Sequence, residues 1–199
     1  MTIIEHCAVI DATRRWISFV VIGLDLCPFA KRVFEAGLIR YVVSEATDSE
    51  LLRTQLADEL KTLAASPALT IETTLLIHPG VLARFEDYCD FLVEAERLVK
   101  LLGFRGVIQI ASFHPEFQFA NTGRDDVENY TNRSPFPMLQ LREESVSKVA
   151  ANPDELYQIP VRNAARLRRM GRGEVLKLLT AVDAESKETK NAIPEAGTS

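Results

Sequence analysis

Apolar residues along this chain recur in blocks that switch between helical and strand periods. Val9, Ala12, Trp16, Phe19 and Gly23 follow one another at spacings of 3, 4, 3 and 4, which predicts one face of an α-helix. Leu38–Val43 (LIRYVV) is short, apolar and β-branched and reads as a strand. Thr47-Asp48-Ser49-Glu50 has the form of a capping box, with Thr47 and Glu50 satisfying orphan amides, and Leu52, Leu56, Leu60 and Leu63 form the stripe of the helix it opens. That helix stops near Ser66-Pro67, because proline disfavours helix in the residue before it. Thr70–Ile77 is the second strand, broken by His78-Pro79-Gly80. Val81, Phe85, Tyr88, Leu92, Ala95, Val99 and Leu102 then alternate spacings of 4 and 3 up to Gly103, a left-handed helix stop. Gly106–Phe113 is the third strand, ended by His114-Pro115.

The order is helix, strand, helix, strand, helix, strand, with crossovers long enough for parallel pairing and right-handed βαβ units. It predicts an α/β fold: a single layered domain over residues 1–182, with a mainly parallel sheet (a βαβαβ core) and flanking N- and C-terminal helices. Residues 116–137 are polar, too long for a passive connector, and anchored by Phe117, Phe119, Tyr130 and Phe136, so they read as an ordered, packed loop. Leu139–Ala150 and Val161–Val182 read as helices, and 183–199 has the composition of a polar tail.

Composition changes this picture little. The chain has 199 residues, 23 Lys+Arg against 28 Asp+Glu, and a formal net charge of −5, proportions ordinary for a globular domain. Cys7, Cys27 and Cys89 contain no CxxC pair, which argues against a disulfide framework or a structural zinc site and predicts a reducing, cytoplasmic setting. Arg14-Arg15 before the apolar run 16–24 resembles a targeting signal, but the run is too short to cross a membrane and no cleavage site follows.

In a parallel α/β sheet, ligands bind at the carboxyl ends of the strands. His78 and His114 end the second and third strands, Ser44 and Glu45 end the first, and the polar loop leaves from the same edge. Histidine titrates near neutrality, so His114 is the candidate general acid/base. Cys27, in Leu26-Cys27-Pro28-Phe29-Ala30-Lys31-Arg32, falls where Pro28 suits the first turn of a helix. An N-cap position beside Lys31 and Arg32 favours the thiolate and makes Cys27 a candidate nucleophile. The opposing reading is a buried small hydrophobe. Glu116 or Asp126 is the candidate carboxylate orienting the imidazole.

Asn129, Asn132, Arg133 and Ser134 crowd donors into six positions, which suits an anionic group, with Arg133 as anchor and His78 nearby. Equally, such side chains cross-link an irregular loop by bonding its own backbone. His78, His114, Glu116, Asp125 and Asp126 are types that bind metals, but no HxH or HxxxH spacing supports a metal site. Arg162, Arg166, Arg168, Arg169 and Arg172 form a basic cluster, yet three of them recur at helical spacing in an acidic chain, which favours a salt-bridged helix face over nucleic-acid binding.

Phe113-His114-Pro115-Glu116 resembles the His-Pro-Glu segment of class I glutamine amidotransferases over four residues, but Cys27 lacks the Gly-x-Cys-x-Gly elbow of such a nucleophile. A wider resemblance runs from about Trp16 to Arg169. Leu26-Cys27-Pro28-Phe29-Ala30, the run 109–119, Asp125-Asp126, and Asn129-Tyr130-Thr131-Asn132-Arg133-Ser134-Pro135 together resemble the uncharacterised DUF1415 family. That resemblance implies no reaction and no cofactor. The residues themselves support an enzyme acting on a small anionic molecule through a Cys/His/carboxylate group, with a non-catalytic ligand-binding or regulatory domain as the alternative.

Overall fold

A computed structural model describes residues 2–67, 70–143 and 153–180, with side chains in the last stretch from residue 158. Four strands form its sheet: β1 (Ile39–Val43), β2 (Thr73–Ile77), β3 (Ile108–Phe113) and β4 (Met138–Glu143), in the order β1-β2-β4-β3. β1 and β2 are parallel, and β4 runs antiparallel to both of its neighbours, β2 and β3. The sheet is therefore mixed and mostly antiparallel, not mainly parallel. The correction comes from one segment. Residues 139–143, expected to begin a helix, alternate Leu139 and Leu141 with Gln140 and Arg142, the period of a pleated strand. Insertion between β2 and β3 gives both edges of that strand a hydrogen-bonding partner, and this tertiary pairing overrides local preference. Residues 144–150 of the expected helix lie outside the described residues, as do 181–182 and the tail 183–199.

Because β4 opposes both neighbours, β1, β2 and β3 still share one direction, and their carboxyl ends share one edge. Alternate side chains divide the core in two. On one face, Leu76, Leu139, Leu141 and Ile108 pack against α3 (Ser49–Ala65) and α4 (Phe85–Leu101). On the other, Leu75, Ile77 and Met138 pack beneath α1 (Ile3–Trp16), a π-helix (Ile17–Ile22), α5 (Pro153–Met170) and α6 (172–180). The short α2 (Ala30–Glu35) closes that side. The result is three layers, helices on both faces of one sheet.

The leucine stripe of α3 is as expected: Leu52, Leu56, Leu60 and Leu63 are fully buried, each worth about 1.5–3 kcal/mol. Its cap lies one residue later than the capping box predicts, with the Asp48 carboxylate accepting from the Leu51 amide at 2.8 Å. Gly103 stops α4 with a φ of 79°, and Gly171, φ 78°, separates α5 from α6. The first helix departs from its predicted stripe where it widens. In the π-helix, i→i+5 winding adds a residue to the turn, so Val20 is 2% exposed and Phe19, expected inside, is 45% exposed. Among the described residues, no helix is long and apolar enough to cross a membrane.

Candidate functional site

The shared strand edge does bring His78 and His114 together. Both rings pack against Tyr88 from α4, at centroid distances of 5.9 and 5.1 Å. Tyr88 in turn donates its hydroxyl to the Met138 carbonyl at 2.9 Å and accepts from the Phe113 amide at 3.0 Å, tying β4 to β3 at this end. His114 is fully buried. Its Nδ1 accepts from the Glu116 amide at 3.0 Å and its Nε2 faces the Leu82 carbonyl at 3.1 Å. Those partners assign the neutral Nε2–H tautomer. Leu82 has a φ of 58°, so this bond holds the carbonyl of a left-handed residue that no turn chemistry favours. His78 places Nδ1 3.1 Å from the Val81 carbonyl, and its buried Nε2 has no partner among the described residues. Burial pushes the His78 imidazole down to about 4, and burial likewise lowers His114 against the pull of Glu116 and Glu86. The His114 ring is a neutral clamp between the loop after β3 and the turn after β2, and the His78 ring bonds within that turn.

The polar loop engages itself. Asn129, fully buried, accepts from the Phe119 amide at 3.0 Å and donates to the Gly123 carbonyl at 2.8 Å. Asn132 donates to the Ser112 carbonyl at 3.0 Å, and Ser134 to the Phe136 carbonyl at 2.7 Å. Arg133 donates to the carbonyls of Phe117 (3.1 Å) and Arg124 (2.6 Å) while its guanidinium lies over the Tyr130 ring. Asp126 accepts from the Gly123 amide at 2.7 Å, and Glu116 pairs with Arg124 at 2.5 Å. The basic helix holds the loop from outside: Arg168 pairs with Glu128 and Arg172 with Asp125. These bonds are the backbone cross-linking that Asn and Ser favour.

Cys27 is not part of this assembly. Consecutive side chains on a strand point to opposite faces: Phe113 packs against Trp16 at 5.3 Å, and the next residue, His114, against Phe85 of α4 at 5.3 Å. Cys27 is on the Trp16 side, so the sheet separates the thiol from the imidazole. Nor does Cys27 cap a helix. α2 begins at Ala30, whose amide donates to the Cys27 carbonyl at 3.2 Å, while Lys31 and Arg32 pair with Glu35 and Glu72. Cys89, on α4, is half-buried, and burial pushes its thiol up. Among the described residues no three His, Cys, Asp or Glu side chains converge as a metal site.

A different site lies on the Cys27 face. Between the sheet and the π-helix is a cavity of about 190 Å³, walled by Trp16, Ile17, Phe29, Val33, Leu75 and Phe113, with Ala111 on the sheet and Cys27 at its side. Trp16 is 3% exposed and its indole N–H has no partner among the described residues. The opposite end is polar, formed by Glu72, Thr73, Gln140 and Arg142. Gln140 donates to the Thr73 hydroxyl at 3.2 Å, and that hydroxyl donates to the Leu141 carbonyl at 2.8 Å. Arg32 clamps both oxygens of Glu72, at 2.7 and 2.5 Å.

The loop that carries Cys27 is held by α5. Asn163 donates to the Leu26 carbonyl at 2.7 Å, Arg162 to that of Asp25 at 3.3 Å, and Arg166 to that of Leu24. Asp25 has a φ of 47°. Two arginines of the basic cluster thus fix the cavity wall.

Trp16 and Ala111 read in the sequence only as helix and strand positions, and Gln140 and Arg142 escape it because β4 reads as helix, which hides this inward pair. The alternation of Met138-Leu139-Gln140-Leu141-Arg142 is the signal that carries them.

A family model described as protein of unknown function (DUF1415) matches residues 8–177, a span from α1 into α6. No curated protein and no solved structure matches the chain.

Proposed function

The chain belongs to the DUF1415 family, and on that premise we propose that it is a small-molecule-binding domain. Its site is the cavity between the sheet and the π-helix, and its polar loop is scaffold. The observation that carries this reading is a cavity of about 190 Å³ walled mostly by apolar side chains, with Glu72, Thr73, Gln140 and Arg142 at one end. Ligand sites are mostly apolar concavities with a few oriented polar groups. π-helical turns also recur at functional sites. The His114 loop offers a ligand much less, because the Asn, Arg and Ser side chains expected to capture an anion are bonded to backbone.

The chain has one tryptophan, so Trp16 fluorescence reports directly on the cavity. Titration with 1-octanol or octanoate is expected to give a saturable shift in Trp16 emission, and Ala111→Leu, which fills the cavity from β3, to abolish it. No saturable shift with either compound, or a shift that survives Ala111→Leu, would overturn the reading.

A second reading, in which the same cavity is an active site, has one observation behind it. Cys27 is the cysteine that lines the cavity, at the end of a loop fixed by Arg162, Asn163 and Arg166. Its test is peptide-level labelling of the native protein with iodoacetamide: labelling of Cys27 faster than that of exposed Cys7 supports an activated thiol, and slower labelling removes the ground for it.

A further inference from the structure

The geometry points to the class of molecule the cavity takes: a linear monocarboxylate, its apolar chain lying along the sheet and its carboxylate on Arg142. This rests on the binding role proposed above and specifies its ligand.

The argument begins with charge at the polar end of the cavity. Two cationic side chains stand there. Arg32 is neutralised by Glu72 through two hydrogen bonds. Arg142 is different. Its Nε and Nη2 both donate to a neutral acceptor, the Gln109 carboxamide oxygen, at 3.2 and 2.6 Å, and among the described residues no carboxylate pairs with it. Arg142 is half-buried, and a guanidinium is charged at every physiological pH. With Glu72 already engaged by Arg32, the uncompensated charge at this end among the described residues is positive. Of a guanidinium's five N–H groups, only two are used on Gln109. Among the described residues the others have no partner, and they suit a planar two-oxygen anion, the geometry that guanidinium matches best.

Strand register supplies the shape. Arg142 pairs with Gln109 at one end of β3, Gln140 with Ala111, and Met138 with Phe113 at the other end. Phe113 is the residue that packs on Trp16. The four-residue step from Gln109 to Phe113 is about 13 Å of strand, so the cationic end and the Trp16 end are separated along the sheet by apolar and small side chains. A molecule that satisfies both ends has a charged head and an apolar body in line. A compact polyanion finds no second cation free, since Arg32 is occupied. A neutral apolar molecule leaves the half-buried guanidinium without an anionic partner.

The test uses the full chain and three probes of one length, octanoate, 1-octanol and octylamine, read by Trp16 emission. Octanoate is expected to bind more tightly than 1-octanol by about tenfold or more, the scale of one charge-assisted pair, and octylamine more weakly than either. Arg142→Gln is expected to remove the preference for octanoate over 1-octanol, and Arg142→Lys to retain part of it. Equal affinity for octanoate and 1-octanol, or an octanoate preference that survives Arg142→Gln, overturns the carboxylate assignment and leaves the cavity reading standing. Failure of both compounds to bind overturns the cavity reading and this one with it.

Discussion

Phe113 and His114 are neighbours in the chain and strangers in the fold: the phenyl ring meets Trp16 on one face of the sheet, and the imidazole meets Phe85 and Tyr88 on the other. This inversion separates the cavity from the histidine pair, so perturbing either leaves the other largely intact.

His114→Ala tests that separation. It removes the imidazole partner of the Glu116 amide and the Leu82 carbonyl and opens a void where a fully buried ring stood, with an expected loss of about 3 kcal/mol in urea unfolding. Octanoate affinity at the Trp16 cavity should stay within about twofold of the parent chain. A stable His114→Ala protein that no longer binds would reverse the roles assigned to the two faces.

Stability should fall on mild acidification. The unfolded chain protonates His78 near its ordinary value of about 6.5, whereas the folded protein refuses that proton until about 4. The folded pKa lies below the unfolded one, so the stabilisation is complete above the unfolded value and is lost progressively as pH falls through this window, by about 3 kcal/mol. His114, also lowered by burial, acts in the same direction. Urea midpoints measured from pH 7 to pH 4.5 should decline, and His78→Gln should decline less steeply. Parallel slopes for the two proteins would show that His78 titrates as it does in the unfolded chain.

Asn129→Asp is expected to loosen the loop without touching the sheet. The amide Nδ2 that donates to the Gly123 carbonyl becomes an oxygen facing an oxygen, in a fully buried position, at a cost of about 2 kcal/mol or more. Hydrogen exchange should accelerate for the amides of Phe119 and the residues around it, and remain slow in β2 and β4. Unchanged protection at Phe119 would count against the Asn129 bonds as the loop's internal support.

Cys27 should be shielded by an occupant. Octanoate at saturating concentration is expected to slow iodoacetamide labelling of Cys27, which lines the cavity, and to leave exposed Cys7 unaffected. Peptide mapping by mass spectrometry distinguishes the two, and equal slowing at both would point to a general effect of the additive.

Much of this fold was legible where one physical signal dominated. The leucines of α3 repeat at helical spacing and are all buried, and Gly103 stops α4 through the backbone conformation glycine favours. The meeting of His78 and His114 was legible from strand direction, although the sheet between them is not the parallel one expected. β4 was hidden because six residues give an alternation too short to outweigh a helical reading until the partner strands exist. The π-helix was hidden because its extra residue breaks the period that would reveal it, which moved Phe19 outward and Val20 inward. For the polar loop, composition left two readings open, capture of an anion or bonding to its own backbone. Choosing between them needed the directions of Asn129, Asn132 and Arg133, which no spacing encodes.

The position of β4 also bears on how the molecule comes to be assembled. Its six residues are the last of the sheet to leave the ribosome, yet they occupy a central place in it. Until position 143 has emerged, β3 has no strand beside it and β2 has only β1. A nascent chain ending before Met138 therefore exposes two unpaired edges, each an invitation to aberrant pairing. The keystone arrives late, and both halves must wait for it.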